Sequence, residues 1–280
     1  MNKIKFMLII SLLFIGGFYS YYNYNNKLDQ LTYMEVNNET KEEIPVLMYH
    51  FFSNYEKRKG QYTVYSKDLK KDLEYIKNQG YTTITVKDLV NNIENNIKLP
   101  KKPIILTIDD SSKSFYTIMF PMLKEMNMKA ILSVIGIYSE EESNNGFHMS
   151  WDQLKEVEDS GLVELQNHSY NLHDYGNGKY GIKQYSYEDT ETYKNRLKED
   201  FLLNNEKLKS LNGITPLAFT YPLGYSNDIA KELIKELGFK ASFSCAEKRL
   251  ILDTNLYNIP RFNRDGRFTT SEMFGNIYNN

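Results

Sequence analysis

From Pro45 onward, short apolar runs alternate with longer stretches whose apolar positions recur every three or four residues. The runs PVLMYH (45–50), YTTITV (81–86), PIILTI (103–108), KAILSVIG (129–136) and LVELQNH (162–168) read as buried strands. Between the first two, SKDLKKDLEYIKNQG places Leu69, Leu73 and Ile76 at i, i+4 and i+7. Ser66 is its expected N-cap and Gly80 its stop. Further helices are predicted at 87–95, within 114–126, from Ser150 to about Asp159, within 187–211 and at 227–237. Ser150 and Gln153 have the spacing of a capping box. PLAFTYPLG, FKASFSC and LYNIPRF supply the late strands. This βα alternation, uninterrupted by a Pro/Gly-rich linker, predicts one parallel α/β domain. Periodicity leaves a barrel and a doubly wound sheet both open.

The start of the chain follows a different pattern. Lys3 and Lys5 precede the apolar run FMLIISLLFIGGF, residues 6–18. A basic flank before such a run reads as a secretory signal or, extended through Tyr21 and Tyr22, as a membrane anchor. An uncleaved anchor is favoured, because no small-x-small site follows. Residues 1–22 are therefore expected to be a signal peptide or anchor, 23–43 a polar tether and 44–280 the folded domain, outside the cytoplasm.

Composition narrows the function. A net charge of −2 gives no nucleic-acid footprint. The single cysteine, Cys245, excludes an intramolecular disulfide framework. The 23 tyrosines suit a sugar-stacking surface or are a compositional habit.

The candidate chemistry gathers at predicted strand ends. PIILTI runs into the adjacent carboxylates Asp109 and Asp110, a costly pairing unless something positive or protic compensates it. The four histidines are His50, His148, His168 and His173. QNHSYNLHD places His168 and His173 on a loop with the spacing of two ligands folding back over a strand end. Two imidazoles and one carboxylate leave open positions on a divalent ion such as zinc. One aspartate can then ligate the ion while the other takes a proton from water. His50 is the best-placed spare histidine to act as general acid. His148, in a loop before a helix, is expected at the surface, and Trp151 is expected to pack between helix and barrel.

These motifs together resemble the NodB-like polysaccharide deacetylases, carbohydrate esterase family 4. TIDD resembles the family's T-F-D-D, HSYNLH its His-Ser/Thr-x-x-(x)-His motif, and FTYPLG its Y-P-Y/F-G segment. The resemblance covers about residues 44–270. It implies a distorted (β/α)7-type TIM-like barrel, the NodB homology domain. It also implies Asp109 as general base, with Asp110, His168 and His173 as metal ligands. Tyr221, Pro222 and Leu223 would line the substrate and offer a backbone N–H to the oxyanion. The implied cofactor is a divalent metal ion, zinc first, with cobalt, nickel, manganese or iron as alternatives. Many members carry the acid histidine late in the chain, yet none follows His173 here. PVLMYH and NIPRFNRDGR instead resemble the permuted subgroup of poly-N-acetylglucosamine deacetylases, with His50 as the acid. Two residues depart from the pattern: Ser111 stands where glycine is usual, and Leu223 replaces an aromatic. The arginine that usually precedes the Y-P segment is absent, and Arg261 is the candidate to hold Asp109 in its place.

The resulting expectation is an extracellular metal-dependent N-deacetylase of N-acetylglucosamine polysaccharides. Poly-N-acetylglucosamine is its first substrate, then peptidoglycan, then chitin fragments. Its partners would be that polysaccharide and, through the N-terminus, the membrane. A catalytically degenerate glycan-binding member is the alternative. A glycoside hydrolase would need carboxylates on both sides of the scissile bond, which adjacent residues do not supply.

Overall fold

The computed structural model describes residues 43–140, 146–253 and 255–279. The expected anchor at 1–22, and the tether up to residue 42, lie outside the described residues. Among the described residues, no helix is long and apolar enough to cross a membrane.

Among the described residues, seven parallel strands form the main path of the sheet: β1 (Val46–Tyr49), β2 (Pro103–Ile108), β3 (Ala130–Val134), β4 (Val163–Asn167), β5 (Ala218–Thr220), β6 (Ala241–Phe243) and β7 (Phe262–Asn263), and Thr82–Thr83 pairs beside β2. Their order across the sheet is β6-β5-β4-β3-β2-β1-β7, each paired in parallel with its neighbour. The longer helices are α1 (Ser66–Asn78), α2 (Val86–Asn95), α3 (Phe120–Met126), α4 (Trp151–Asp159), α5 (Thr190–Asn212), α6 (Asp228–Glu236) and α7 (Thr270–Asn279), and Gly136–Glu140 adds a short one.

The sheet curls until one segment joins its margins. Ile259 bridges Phe243 of β6 in parallel, and five residues later Arg264 N–H donates to the Met48 carbonyl of β1 at 2.9 Å. The run NIPRFNR thus pairs with both ends of the sheet, as the expected distorted barrel requires.

Side-chain alternation divides the strands between two cores. Val46, Ile105, Ile131, Ala218 and Ala241 form the inner core with Val86 and Leu89 of α2, which plugs one end. Leu47, Leu106, Leu132 and Leu165 face the surrounding helices. Toward the carboxyl ends, the inner positions turn polar at Thr107, Ser133 and Thr220, all buried. Ser133 and Thr220 satisfy each other at 2.7 Å, and Thr107 donates to the Leu47 carbonyl at 2.8 Å. This polar layer is the floor of the site.

Local departures from the expected elements have plain causes. YTTITV keeps only Thr82–Thr83 as strand, because Thr85 and Asp88 form a capping box that starts α2 at Val86. Ser66 is the first residue of α1, not its cap, which is Tyr65. The helix expected within 114–126 opens as a π-helical turn, Phe115–Met119, before α3. Strand pairing begins at Glu43, opposite Ile251. Ser150 and Gln153 do exchange capping bonds, at 3.3 and 3.2 Å. Trp151 packs half-buried against the helix-side core.

Candidate active site

Every strand-end candidate is carried to the same end of the barrel. His50 follows β1, Asp109 and Asp110 follow β2, and His168 follows β4. Together with His173, they line one cavity of about 460 Å³. The position agrees with the rule that parallel α/β folds place chemistry at the carboxyl ends of their strands.

Asp110 and Ser111 both adopt left-handed backbone, with φ of 71° and 49°. Outside glycine, such a conformation costs roughly 1–2 kcal/mol per residue. The segment Phe147–Met149 holds the turn. Lys113 N–H donates to the Phe147 carbonyl at 2.8 Å, and Met149 N–H donates to that of Ser111 at 3.0 Å. Between them, His148 Nδ1 lies 2.9 Å from the Asp110 carbonyl. A carbonyl only accepts, so Nδ1 carries the proton. His148 is buried and stacks on Tyr138 with ring centroids 4.4 Å apart. The expectation of a surface histidine is therefore corrected: His148 straps the turn that Ser111 must make without glycine.

The histidine loop is held by α5. Ser169, at φ 69°, donates its N–H to Asn167 Oδ1 at 2.8 Å, which Asn204 also reaches at 3.0 Å. Asn167 in turn donates to Asn205 Oδ1 at 2.8 Å. Asp200 accepts the N–H groups of Tyr170 and Asn171 at 2.8 and 2.7 Å. Gly136 is forced by this packing, since a Cβ there would lie 2.5 Å from both Asn204 and Tyr170. The reading from sequence missed these supports. Their signal was polar residues at 204 and 205 interrupting the apolar positions Tyr193, Leu197, Phe201 and Leu208.

Asp110, His168 and His173 form a cluster able to hold a metal ion. Nε2 of each histidine lies 3.5 Å from Asp110 Oδ1. That buried oxygen has no hydrogen-bond partner among the described residues. The separations are long for hydrogen bonds but close to the ~3.3 Å edge of a tetrahedron with ~2.0–2.1 Å zinc bonds. His168 Nδ1 lies 2.8 Å from the Thr220 carbonyl, which fixes its proton there and aims the Nε2 lone pair at the cluster. The residues therefore fit a divalent cation.

The charges agree. Burial alone would raise the Asp110 pKa, yet the His168 and His173 interactions hold it well below the usual carboxylate range. Burial, reinforced by His168, lowers His173 to about 4, so it is a neutral ligand at pH 7. Burial would also lower His168, but its interaction with the Asp110 carboxylate outweighs that and raises the pKa. A cation binding at Nε2 would take the place of a proton there.

Asp109 has a different partner. Arg261, fully buried, donates to both its oxygens at 2.8 and 2.9 Å. The guanidinium is itself oriented by the Ser244 carbonyl at 2.9 Å and Thr107 Oγ1 at 3.1 Å. Burial opposes ionisation of Asp109, but Arg261 prevails and lowers its pKa. Each carboxylate oxygen keeps a second lone pair for a proton. The His50 ring meets that of Tyr62 at a tilt with centroids 4.8 Å apart, and its buried Nδ1 has no hydrogen-bond partner among the described residues. Burial lowers the His50 pKa, while Asp109 and Asp110 pull it upward.

The turn after β5 places Tyr221 and Leu223 on the cavity wall, with Leu223 at φ 56°. Pro222 does not line the cavity. It backs onto Gly181, where a Cβ would stand 3.0 Å from the Pro222 carbonyl oxygen.

A poly-beta-1,6-N-acetyl-D-glucosamine N-deacetylase of Escherichia coli K12 is 28% identical over 218 residues, 69% of this chain but 32% of that protein. The chain thus spans about a third of that relative's length. The protein of the same name from Staphylococcus aureus MSSA476 is 29% identical over 213 residues, covering 76% of this chain and 71% of that one. A de-N-acetylase structure from Aggregatibacter actinomycetemcomitans superposes with a TM-score of 0.73 at 25% identity, over 84% of this chain and 99% of that one. IcaB from Ammonifex degensii shares the fold at a TM-score of 0.67 and 24% identity, over 79% and 91% of the two chains. Residues 96–242, just over half of the chain, match the family model described as polysaccharide deacetylase, and the protein belongs to that family.

Proposed function

We propose that the protein is a metal-dependent N-deacetylase of poly-β-1,6-N-acetylglucosamine, acting outside the cytoplasm. The observation that carries the reading is the ligand cluster Asp110, His168 and His173 beside an ionised, unligated Asp109 in one cavity. The substrate named for the Escherichia coli and Staphylococcus aureus relatives supports the choice of polymer.

A divalent cation at the three ligands would supply Lewis acidity and lower the pKa of water. The chain's own residues account for the proton movements. Asp109 accepts a proton from the water that attacks the acetamide carbonyl carbon. The backbone N–H of Leu223 is the candidate donor to the developing oxyanion. His50 delivers a proton to the glucosamine nitrogen as the C–N bond breaks, releasing acetate and a free amine. Burial keeps His50 neutral at rest, so it takes up the proton that Asp109 accepts from water before it acts as the acid.

Acetate release from poly-β-1,6-N-acetylglucosamine and from peptidoglycan, with and without chelator, tests the reading. The expected result is release from the first polymer, loss with chelator and recovery on adding zinc. No release from either polymer by metal-loaded protein would favour a glycan-binding member without turnover. The basic flank and apolar run at residues 3–18 support the extracytoplasmic placement. Externally added protease should digest the domain on intact cells, and full protection would overturn that placement.

A further inference from the structure

We infer that the hairpin around Tyr175–Tyr180 is a second sugar-binding subsite, which stacks the N-acetylglucosamine unit next to the one being deacetylated. The inference rests on the proposed polysaccharide reading and extends it to how the polymer is held.

The hairpin begins two residues after His173. Tyr175 and Lys179 lie in its two short strands, with Tyr180 directly opposite Tyr175. Its tip is Asn177–Gly178, both at positive φ, the backbone that a tight two-residue hairpin turn requires. The base is fixed on two sides. Lys179 bridges Asp174 at 2.7 Å, and Gly181 N–H donates to the Asp174 carbonyl at 2.9 Å. Gly181 also lies against Pro222, which ties the hairpin to the turn carrying Leu223.

This small, anchored element presents aromatic rings that the fold does not use. Tyr175 is 80% exposed and Tyr180 38% exposed. Their rings meet edge to face at 5.8 Å, and Tyr180 meets Tyr225 in the same way at 6.2 Å. The rings are thereby ordered against one another while open area remains. Exposed tyrosine contributes little to folding, so the stabilisation available from that area is left for an occupant. Both rings line the cavity that holds Asp109, Asp110, His168 and His173. Tyr62, beside His50, lines the same cavity. An occupant of the hairpin face is therefore continuous with whatever sits at the ligand cluster. A polymer of pyranose rings meets that description, since its apolar C–H faces stack on aromatic rings and its repeating unit spans both places.

The test uses the full chain with N-acetylglucosamine itself and its oligosaccharides up to hexamer. In the wild type, kcat/KM should climb from monomer to the longer substrates. In the double variant Tyr175→Ala/Tyr180→Ala the climb should flatten, with about tenfold greater loss on dimer and hexamer than on the monomer. Tyr175→Phe/Tyr180→Phe should restore it, because stacking needs the ring and not the hydroxyl. Calorimetric binding of hexamer to Asp109→Asn protein, with and without the tyrosine substitutions, gives a readout independent of turnover. An unchanged length dependence and unchanged hexamer affinity in the alanine variant would overturn the subsite. Absence of turnover on every oligosaccharide by the wild type would instead overturn the deacetylase reading, and the binding measurement would still decide the subsite.

Discussion

Asp109→Asn should lose about 10³-fold in kcat, the middle of the range for removing a general base, while still binding one divalent ion. The separation follows from the geometry. Asp109 spends its oxygens on Arg261, whereas the metal cluster is built from Asp110, His168 and His173. Asparagine keeps the size and one acceptor oxygen but cannot accept a proton at working pH. The substitution also leaves the Arg261 charge without a full counter-ion, so thermal denaturation must accompany the kinetics. A folded, metal-loaded variant without turnover is the expected result. Wild-type turnover would remove Asp109 from the mechanism. Loss of metal together with turnover would make it a ligand instead.

Much of this site was legible because its residues sit at the ends of apolar runs. PIILTI became a strand with the bounds that its pattern implies, and the two aspartates follow it directly. His168 follows a strand in the same way. The supports were harder to read, since each depends on a contact distant in sequence. His148 looked like a loop residue because nothing local announces that its ring reaches the Asp110 carbonyl. Asp200, Asn204 and Asn205 act across 29 to 38 residues on Asn167, Tyr170 and Asn171, around the loop of His168 and His173. The hairpin was missed although Asn177–Gly178 carried the usual turn signal, because the flanking residues lack an apolar alternation. Backbone strain was anticipated only at Ser111. The structure places four non-asparagine, non-glycine residues at positive φ among those described: Asp110, Ser111, Ser169 and Leu223. All four adjoin the candidate site, where strain is held by the surrounding bonds.

The family match covers residues 96–242, and so leaves His50 and Arg261 outside it. They are brought in by the strands that complete the sheet. β1 carries His50 to the rim, and the segment joining β6 to β1 carries Arg261 inward. Closing the barrel and completing the site are thus one event, and Arg261 links them.

Arg261→Met should accordingly be the most destabilising single substitution in the site, by about 3–5 kcal/mol. Methionine fills comparable space but leaves Asp109, only 3% exposed, without its counter-charge. For a domain of this size that corresponds to a melting temperature lower by roughly 10 °C or more. The penalty should depend on pH with a definite sign. In the wild type the lowered Asp109 pKa contributes stability that is present above the unfolded value and lost as pH falls through the folded value. In Arg261→Met, burial acts without opposition and raises the Asp109 pKa, so the variant is penalised most where Asp109 must ionise. The gap between the two proteins should therefore narrow as pH falls below the ordinary carboxylate range. Removing both charges supplies the decisive comparison. Asp109→Asn/Arg261→Met should be more stable than Arg261→Met alone, because no buried charge remains uncompensated. A double variant as unstable as the sum of the two singles would mean that Arg261 acts only by packing the barrel seam.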